Sequence, residues 1–263
     1  MDLDELLALA HDPGTPPATL SELSRDPSAR VRTAVAARPD AQADVLRRLT
    51  RDYEREVREA VARNPATSRG NLLRLVSDPD RWVRWAVAGN PACDEDIRRA
   101  MAKTADKELR GLLAESPDLE PDLAQGLIAD KSPEVRERLA AHTRDSGVID
   151  ALLRDRTVRV RKGLARNELT SPQQRHKLAA DPAPDVRSAL VRAVELAEAD
   201  LLLLVADRSA EVRRAMATSA LIPDTVRRAL ENDPDEAVAA EAKAYRPTAR
   251  PPRRGPKRFV TGR

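Results

Sequence analysis

Aromatic residues make up 2% of the 263-residue chain: Tyr53, Trp82, Trp85, Tyr245 and Phe259. A sheet protein of this size packs its pleated surfaces with far more, so a β-sandwich or barrel is excluded. Nine glycines are too few for a turn-rich β protein or a dinucleotide-binding fold. A single cysteine, Cys93, rules out an intramolecular disulfide, a four-cysteine zinc site and a cysteine-ligated iron–sulfur cluster. The three histidines, His11, His142 and His176, are scattered without metal-ligand spacing. The longest apolar run, Leu201 to Val205, falls far short of the roughly 18 residues that cross a membrane. There is no glycine-rich phosphate loop, no HExxH and no nucleophile elbow. Cys93 follows Pro91 at an expected helix start, but no histidine is aligned with it. Neither catalysis, a cofactor, a metal nor a small-molecule substrate is expected.

What remains is 41% hydrophobic and 34% charged, the composition of a folded, soluble chain. Its net charge of +3 hides an asymmetry. Residues 246–263 hold seven basic residues, four prolines and no acid, which leaves −4 on residues 1–245. The prolines forbid a regular helix there. The segment reads as a disordered basic tail, either a solubilising terminus or an electrostatic handle for nucleic acid through Arg253, Arg254, Lys257 and Arg258. The first residues, Met1-Asp-Leu-Asp-Glu5, are acidic, unlike a secretory signal, so the cytoplasm is the expected compartment.

An internal repeat governs everything else. Val-Arg recurs at residues 31, 57 and 83, becomes Leu-Arg at 109, and returns at 135, 160, 186 and 212 before fading to Val238-Ala239. The step is 26 residues, once 25. Five residues before each of these positions stands an acid (Asp26, Asp52, Asp78, Asp130, Asp155, Asp181, Asp207, Asp233), with Thr104 the exception. Three residues before that comes an apolar side chain, from Leu23 to Leu230. Nine repeats result, 13–38 through 220–245, preceded by a capping helix in residues 1–12.

Each repeat reads as two short helices. Apolar residues three and four apart mark the first, as in Asp44 to Leu49. Pro39, Pro65, Pro91 and Pro117 are expected in its first turn. The second is expected to start at the recurring acid, as an N-cap Asp followed by Pro in Asp26-Pro27, Asp78-Pro79, Asp181-Pro182 and Asp233-Pro234. It buries the Val and the residue four later, with small residues such as Ala36 and Ala62 beside them. One such repeat cannot bury its apolar face alone, but a stack can, so the fold class is an all-α solenoid. Repeat 4 is the expected weak point: it has Thr104 for the acid and Gly111 inside its second helix.

The signature Asn64-Pro65, Leu72-Leu73, Leu75, Asp78-Pro79, Val83-Arg84, Ala86-Val87-Ala88, Asn90-Pro91 resembles the leucine-rich repeat variant family. The resemblance covers residues 13 to about 245 and is strongest in repeats 2 and 3. It implies alternating α- and 3₁₀-helices in a right-handed superhelix. The six-residue interval from Asp to Arg also resembles HEAT repeats. No cysteine cluster precedes the repeats, so a cluster-based redox role is not implied.

Four features carry candidate function. The recurring arginines could line a phosphate backbone, but their fixed offset from Asp favours pairing within the stack. Trp82 and Trp85 occupy positions that other repeats leave polar; three apart on a helix and flanked by Arg81 and Arg84, they have the composition of a protein-binding hot spot. In repeat 6 the same positions carry Arg159, Lys162 and Arg166, a basic stripe suited to an anion or nucleic acid. The basic tail is the fourth. The expected function is a non-catalytic protein–protein interaction scaffold, with a nucleic-acid-associated helical-repeat protein as the alternative.

Overall fold

The computed structural model describes residues 1–245; the expected tail lies outside the described residues. They form nineteen α-helices and one 3₁₀-helix, with no strand among them. The chain divides into two compact bodies, Met1–Val148 and Ile149–Arg263. Each is an α-solenoid of stacked two-helix repeats.

In the first body the second helices, Ala29–Ala37, Arg55–Arg63, Arg81–Ala88, Lys107–Ala114 and Pro133–His142, pack side by side in one row. Leu3–His11 packs against the first of them and extends the row. The first helices, from Pro17–Leu23 to Pro121–Ile128, form a shorter-helix layer behind it. The second body repeats the plan with Val158–Ala165, Pro184–Ala193, Ala210–Thr218 and Glu236–Ala244 as its second-helix row.

The core follows the period. Val31, Val35, Val57, Val61, Val83 and Val87 are fully buried, as are Val160, Leu164, Val212 and Met216. Leu49, Leu75, Met101 and Leu204 close the layer from the first helices. Ala36, Ala62, Ala140, Ala165 and Ala217 are 0% exposed and let neighbouring helices approach. Truncating any one buried leucine of this kind removes contacts worth roughly 2–5 kcal/mol.

The local punctuation differs from the sequence expectation. The second helix begins three residues after the recurring Asp, not at it: the N-cap residues are Ser28, Glu54, Asp80, Ser132, Thr157, Ala183, Ser209 and Asp235. The Asp carboxylate instead accepts the backbone N–H of that N-cap residue, two positions on, at 2.8–3.0 Å. The proline after the Asp therefore lies in this turn. Pro39, Pro65, Pro91 and Pro117 likewise lie in the turns before the first helices rather than in their first turns. Asn64 and Asn90, ahead of two of these prolines, tie adjacent repeats together. The Asn64 amide donates to the Ala36 and Arg38 carbonyls, and that of Asn90 to those of Ala62 and Asn64. The first helices are α-helical, with i to i−4 bonds such as Thr50 N–H to Leu46 O; among the described residues the one 3₁₀-helix is Arg228–Asn232.

The arginines pair as their offset suggests, with the acid of the next repeat. Arg32, Arg58 and Arg110 bind Asp52, Asp78 and Asp130 through Nε and Nη2. Arg161, Arg187 and Arg213 bind Asp181, Asp207 and Asp233 in the same way, all at 2.6–3.1 Å. The remaining nitrogen, Nη1, donates to the carbonyl six residues back, as from Arg32 to Asp26 and Arg58 to Asp52. Each guanidinium thus holds its own turn and clamps the next. Repeat 4 keeps its rung by a shift of register: Arg84 pairs with Asp106, two residues beyond Thr104, at 2.6 Å. Gly111 is also not an empty defect. Arg138 Nη1 and Cδ lie 2.8 and 2.9 Å from where its Cβ would stand, and Arg138 reaches Glu108 at 2.7 Å and Glu115 at 3.5 Å.

Breaking a rung should cost far more than breaking a surface pair. Asp78→Ala leaves the Arg58 side chain, 12% exposed, without its carboxylate, and should cost about 3–5 kcal/mol. Arg63→Ala, at a pair whose arginine is 66% exposed, should change stability by less than about 1 kcal/mol. Urea denaturation followed by helical circular dichroism separates the two.

The rungs also impose a pH dependence. Burial works against the charged forms of Asp130 and Asp207, but hydrogen bonds from Arg110 and Ser132, and from Arg187 and Ser209, outweigh it and hold both carboxyls below their ordinary range. Asp233 is lowered chiefly by Arg213. A lowered native pKa contributes stability that is complete above the unfolded value near pH 4 and is lost as pH falls below it. Urea midpoints should hold steady from about pH 7 to 5 and drop steeply below about pH 4.

The glycines give a further test. Gly126 is exposed in Pro121–Ile128, with open space where a Cβ would go, so Gly126→Ala should stabilise by about 0.5–1 kcal/mol. Gly111→Ala should give no gain, because the new methyl displaces Arg138.

Candidate partner-binding surface

Burial of Val83 and Val87 turns the opposite edge of Arg81–Ala88 outward. The helix is capped by Asp80, whose carboxylate accepts the Trp82 N–H at 2.8 Å. Trp82 is the more open of the two tryptophans, 41% exposed; Trp85 is half-buried, and its indole N–H is shielded without a hydrogen-bond partner. The rings meet edge to face, 4.9 Å between centroids at 77°. The Arg81 guanidinium lies over both, 4.9 Å from the Trp82 ring and 5.5 Å from that of Trp85. The three residues form one aromatic–cation cluster on the outer edge of the row.

Arg84 has a different place. It donates to Asp106 and to the carbonyls of Asp78 and Pro79, so it is a rung of the ladder beneath the cluster. The neighbouring second helices of the row carry charges that are paired among themselves. Arg55 meets Glu56 and Arg63 meets Glu59 on one side; Arg138 meets Glu108 on the other. Arg138 escapes a sequence reading, because it reaches across a helix to its partners. The only signal for it is Gly111, a glycine inside a helix, buried beneath the Arg138 side chain.

In the second body Arg159, Lys162 and Arg166 fall on or just beyond one helix, Val158–Ala165, with Arg166 as its C-cap. Arg159 and Arg166 are exposed. Lys162 is half-buried and 3.8 Å from Asp185 of the next second helix. Arg253, Arg254, Lys257 and Arg258 lie outside the described residues. Burial pushes the Cys93 thiol up, against the thiolate, despite the nearby Arg98. Among the described residues no group of three or more His, Cys, Asp or Glu could hold a metal ion, and no helix is long and apolar enough to cross a membrane.

The two indoles should separate by role. Trp82→Ala should change stability by no more than about 0.5 kcal/mol, as at other exposed sites. Trp85→Ala should lower the thermal midpoint, since it removes a half-buried ring.

The leucine rich repeat variant family model matches residues 55–80. No curated protein matches the chain. The solved structure of a leucine-rich repeat variant with a novel repetitive structural motif aligns at 23% identity. That alignment spans 87% of this chain and 81% of the other, with a TM-score of 0.49. An engineered protein aligns at 16% identity over 90% of this chain and 81% of its own, with a TM-score of 0.32. The matched stretch holds Asn64-Pro65, Leu72-Leu73, Leu75 and Asp78-Pro79, part of the signature that carries the resemblance, so residues 55–80 are similar to one repeat of that family.

Proposed function

We propose that this protein is a non-catalytic scaffold of the cytoplasm that binds a partner protein on the outer edge of its second-helix row, with Trp82, Trp85 and Arg81 as the anchor. The observation that carries the reading is an edge-to-face tryptophan pair, with Trp82 exposed and Trp85 half-buried, at positions that other repeats fill with polar or small residues. An apolar, aromatic centre within a rim of charges already paired to one another is the anatomy of a protein interface. The rim can stay hydrated while the indoles are desolvated by the partner. Arg84 supports the anchor from below through the ladder rather than by contact.

The test is affinity capture from native lysate with three forms: the full chain, Trp82→Ala with Trp85→Ala, and a chain lacking residues 246–263. A captured protein is then titrated against each. The tryptophan change should weaken binding by at least about 2 kcal/mol, roughly thirtyfold, while loss of the tail and added salt leave affinity little changed. Trp82→Ala alone, which spares the fold, should reproduce most of the loss. Capture of nucleic acid instead, falling steeply with salt and lost with the tail or with Arg159, Lys162 and Arg166 changed, would overturn the proposal in favour of the nucleic-acid alternative.

A further inference from the structure

The turns that join first and second helices form shallow cavities along the ladder side of each body. Two of them occupy the same place in the repeat. One, of about 570 Å³, lies in the first body between the turn at Asp52 and that at Asp78. The other, of about 320 Å³, lies in the second body between Asp207 and Asp233. Both are floored by a ladder rung, Arg58–Asp78 in the first and Arg213–Asp233 in the second. Their walls differ. At the register positions where the second has Ala206 and Ala229, the first has Arg51 and Arg74.

Those two arginines are not structural. Both side chains are exposed, and neither guanidinium makes a hydrogen bond or ion pair among the described residues. The acids beside them are already neutralised. Asp52 is held by both nitrogens of Arg32, and Asp78 by both of Arg58. Arg58 is itself fully engaged, its Nη1 donating to the carbonyls of Asp52 and Tyr53. The cavity therefore carries an uncompensated charge of +2 from Arg51 and Arg74.

Its remaining wall is aromatic. Tyr53 stands where Asp26, Asp78, Asp181 and Asp233 are followed by proline, and it is 75% exposed. Arg32 covers one face of its ring, 4.7 Å from the centroid. Ser77, exposed, adds a hydroxyl to the same cavity.

We infer that this cavity binds a phosphate monoester borne on a side chain of a protein ligand. Two free guanidiniums match a dianion in charge and offer paired N–H donors to its oxygens. The volume far exceeds that of the anion, so the group bearing the phosphate has room against the Tyr53 ring. The site is distinct from the tryptophan cluster and stands or falls independently of it.

The test is a titration of the full-length, isotope-labelled chain, read residue by residue by NMR. The probes are a phosphotyrosine-containing tripeptide, its unphosphorylated form, adenosine 5′-monophosphate and inorganic phosphate. The phosphotyrosine peptide should shift signals of Arg51, Tyr53, Arg74 and Ser77 and bind tighter than the other three. Arg51→Ala with Arg74→Ala should weaken it by about tenfold or more, with an unchanged circular dichroism spectrum because neither side chain supports the fold. The converse change, Ala206→Arg with Ala229→Arg, should bring phosphate-dependent shifts to the turns at Asp207 and Asp233. Three results would overturn the inference: shifts confined to residues 246–263, binding unaltered in the double alanine variant, or nucleotide or free phosphate bound as tightly as the peptide. None of them bears on the Trp82 and Trp85 variants, which test the scaffold reading separately.

Discussion

The structure depends on one repeated clamp, the arginine that holds its own turn by a carbonyl and the next repeat by a carboxylate. A stack of two-helix repeats gains stability from apolar burial, but burial alone is indifferent to register. Val57 would be equally dry if its helix slid along its neighbour. The clamp removes that freedom, because a guanidinium fork satisfied by two carboxylate oxygens and a carbonyl fits at one offset only. Desolvating both partners costs much of what the pairing returns, so the rung contributes specificity of stacking more than net stability. That view accounts for repeat 4. When Thr104 cannot serve, Arg84 takes the carboxylate of Asp106, and the rung survives although its position does not.

The clamp also sorts the surface. Arginines at the ladder position are consumed by the fold, including Arg84, whose neighbours Trp82 and Trp85 make it look like part of a binding patch. What is left for recognition is whatever lies off the ladder: the outward edge of the second helices and the mouths of the turns. On the first of these edges the charged residues are largely paired with one another, and the aromatic–cation cluster of Arg81, Trp82 and Trp85 is the departure. In the turns, Arg51 and Arg74 are cations that the fold does not use, unlike Arg25 and Arg48 at the same positions, which bind Ser21 and Ser24.

The period of Val, Leu and Asp was sufficient for the helical pairs, the buried row and the pairing of arginine with aspartate, since all three follow from fixed spacing. The meaning of the Asp was not. Asp-Pro reads locally as a cap and first helical residue, and nothing within six residues of Asp52 reveals that its carboxylate belongs to Arg32, 20 residues earlier. A residue's strongest partner across a stack is invisible to a window shorter than the repeat. The same limit hides Arg138, whose two acids lie in the preceding repeat, and makes Gly111 look like a flaw when it is the space that Arg138 fills. The tryptophans were legible for the opposite reason: they stand out by comparison with the same position in other repeats, which needs no knowledge of contacts.

A repeat protein carries its own internal reference. Each position is sampled several times on nearly the same backbone, so the structural requirement is read from what recurs and any further requirement from what does not. Leu75 and Leu230 recur, as do the rungs Arg58–Asp78 and Arg213–Asp233, and they are the walls and floor that any such cavity must have. Arginine returns at the same two positions as Arg25 and Arg48, but Arg25 donates to the Ser21 carbonyl and Arg48 to the Ser24 hydroxyl, whereas Arg51 and Arg74 have no such partner, and Ala206 with Ala229 shows that alanine suffices to build the turn. A long, solvated cation that the fold can do without costs little where it stands, but two of them on one cavity wall repel each other. An anion seated between them removes that repulsion, and the phosphate site follows from two cations that the fold leaves without partners.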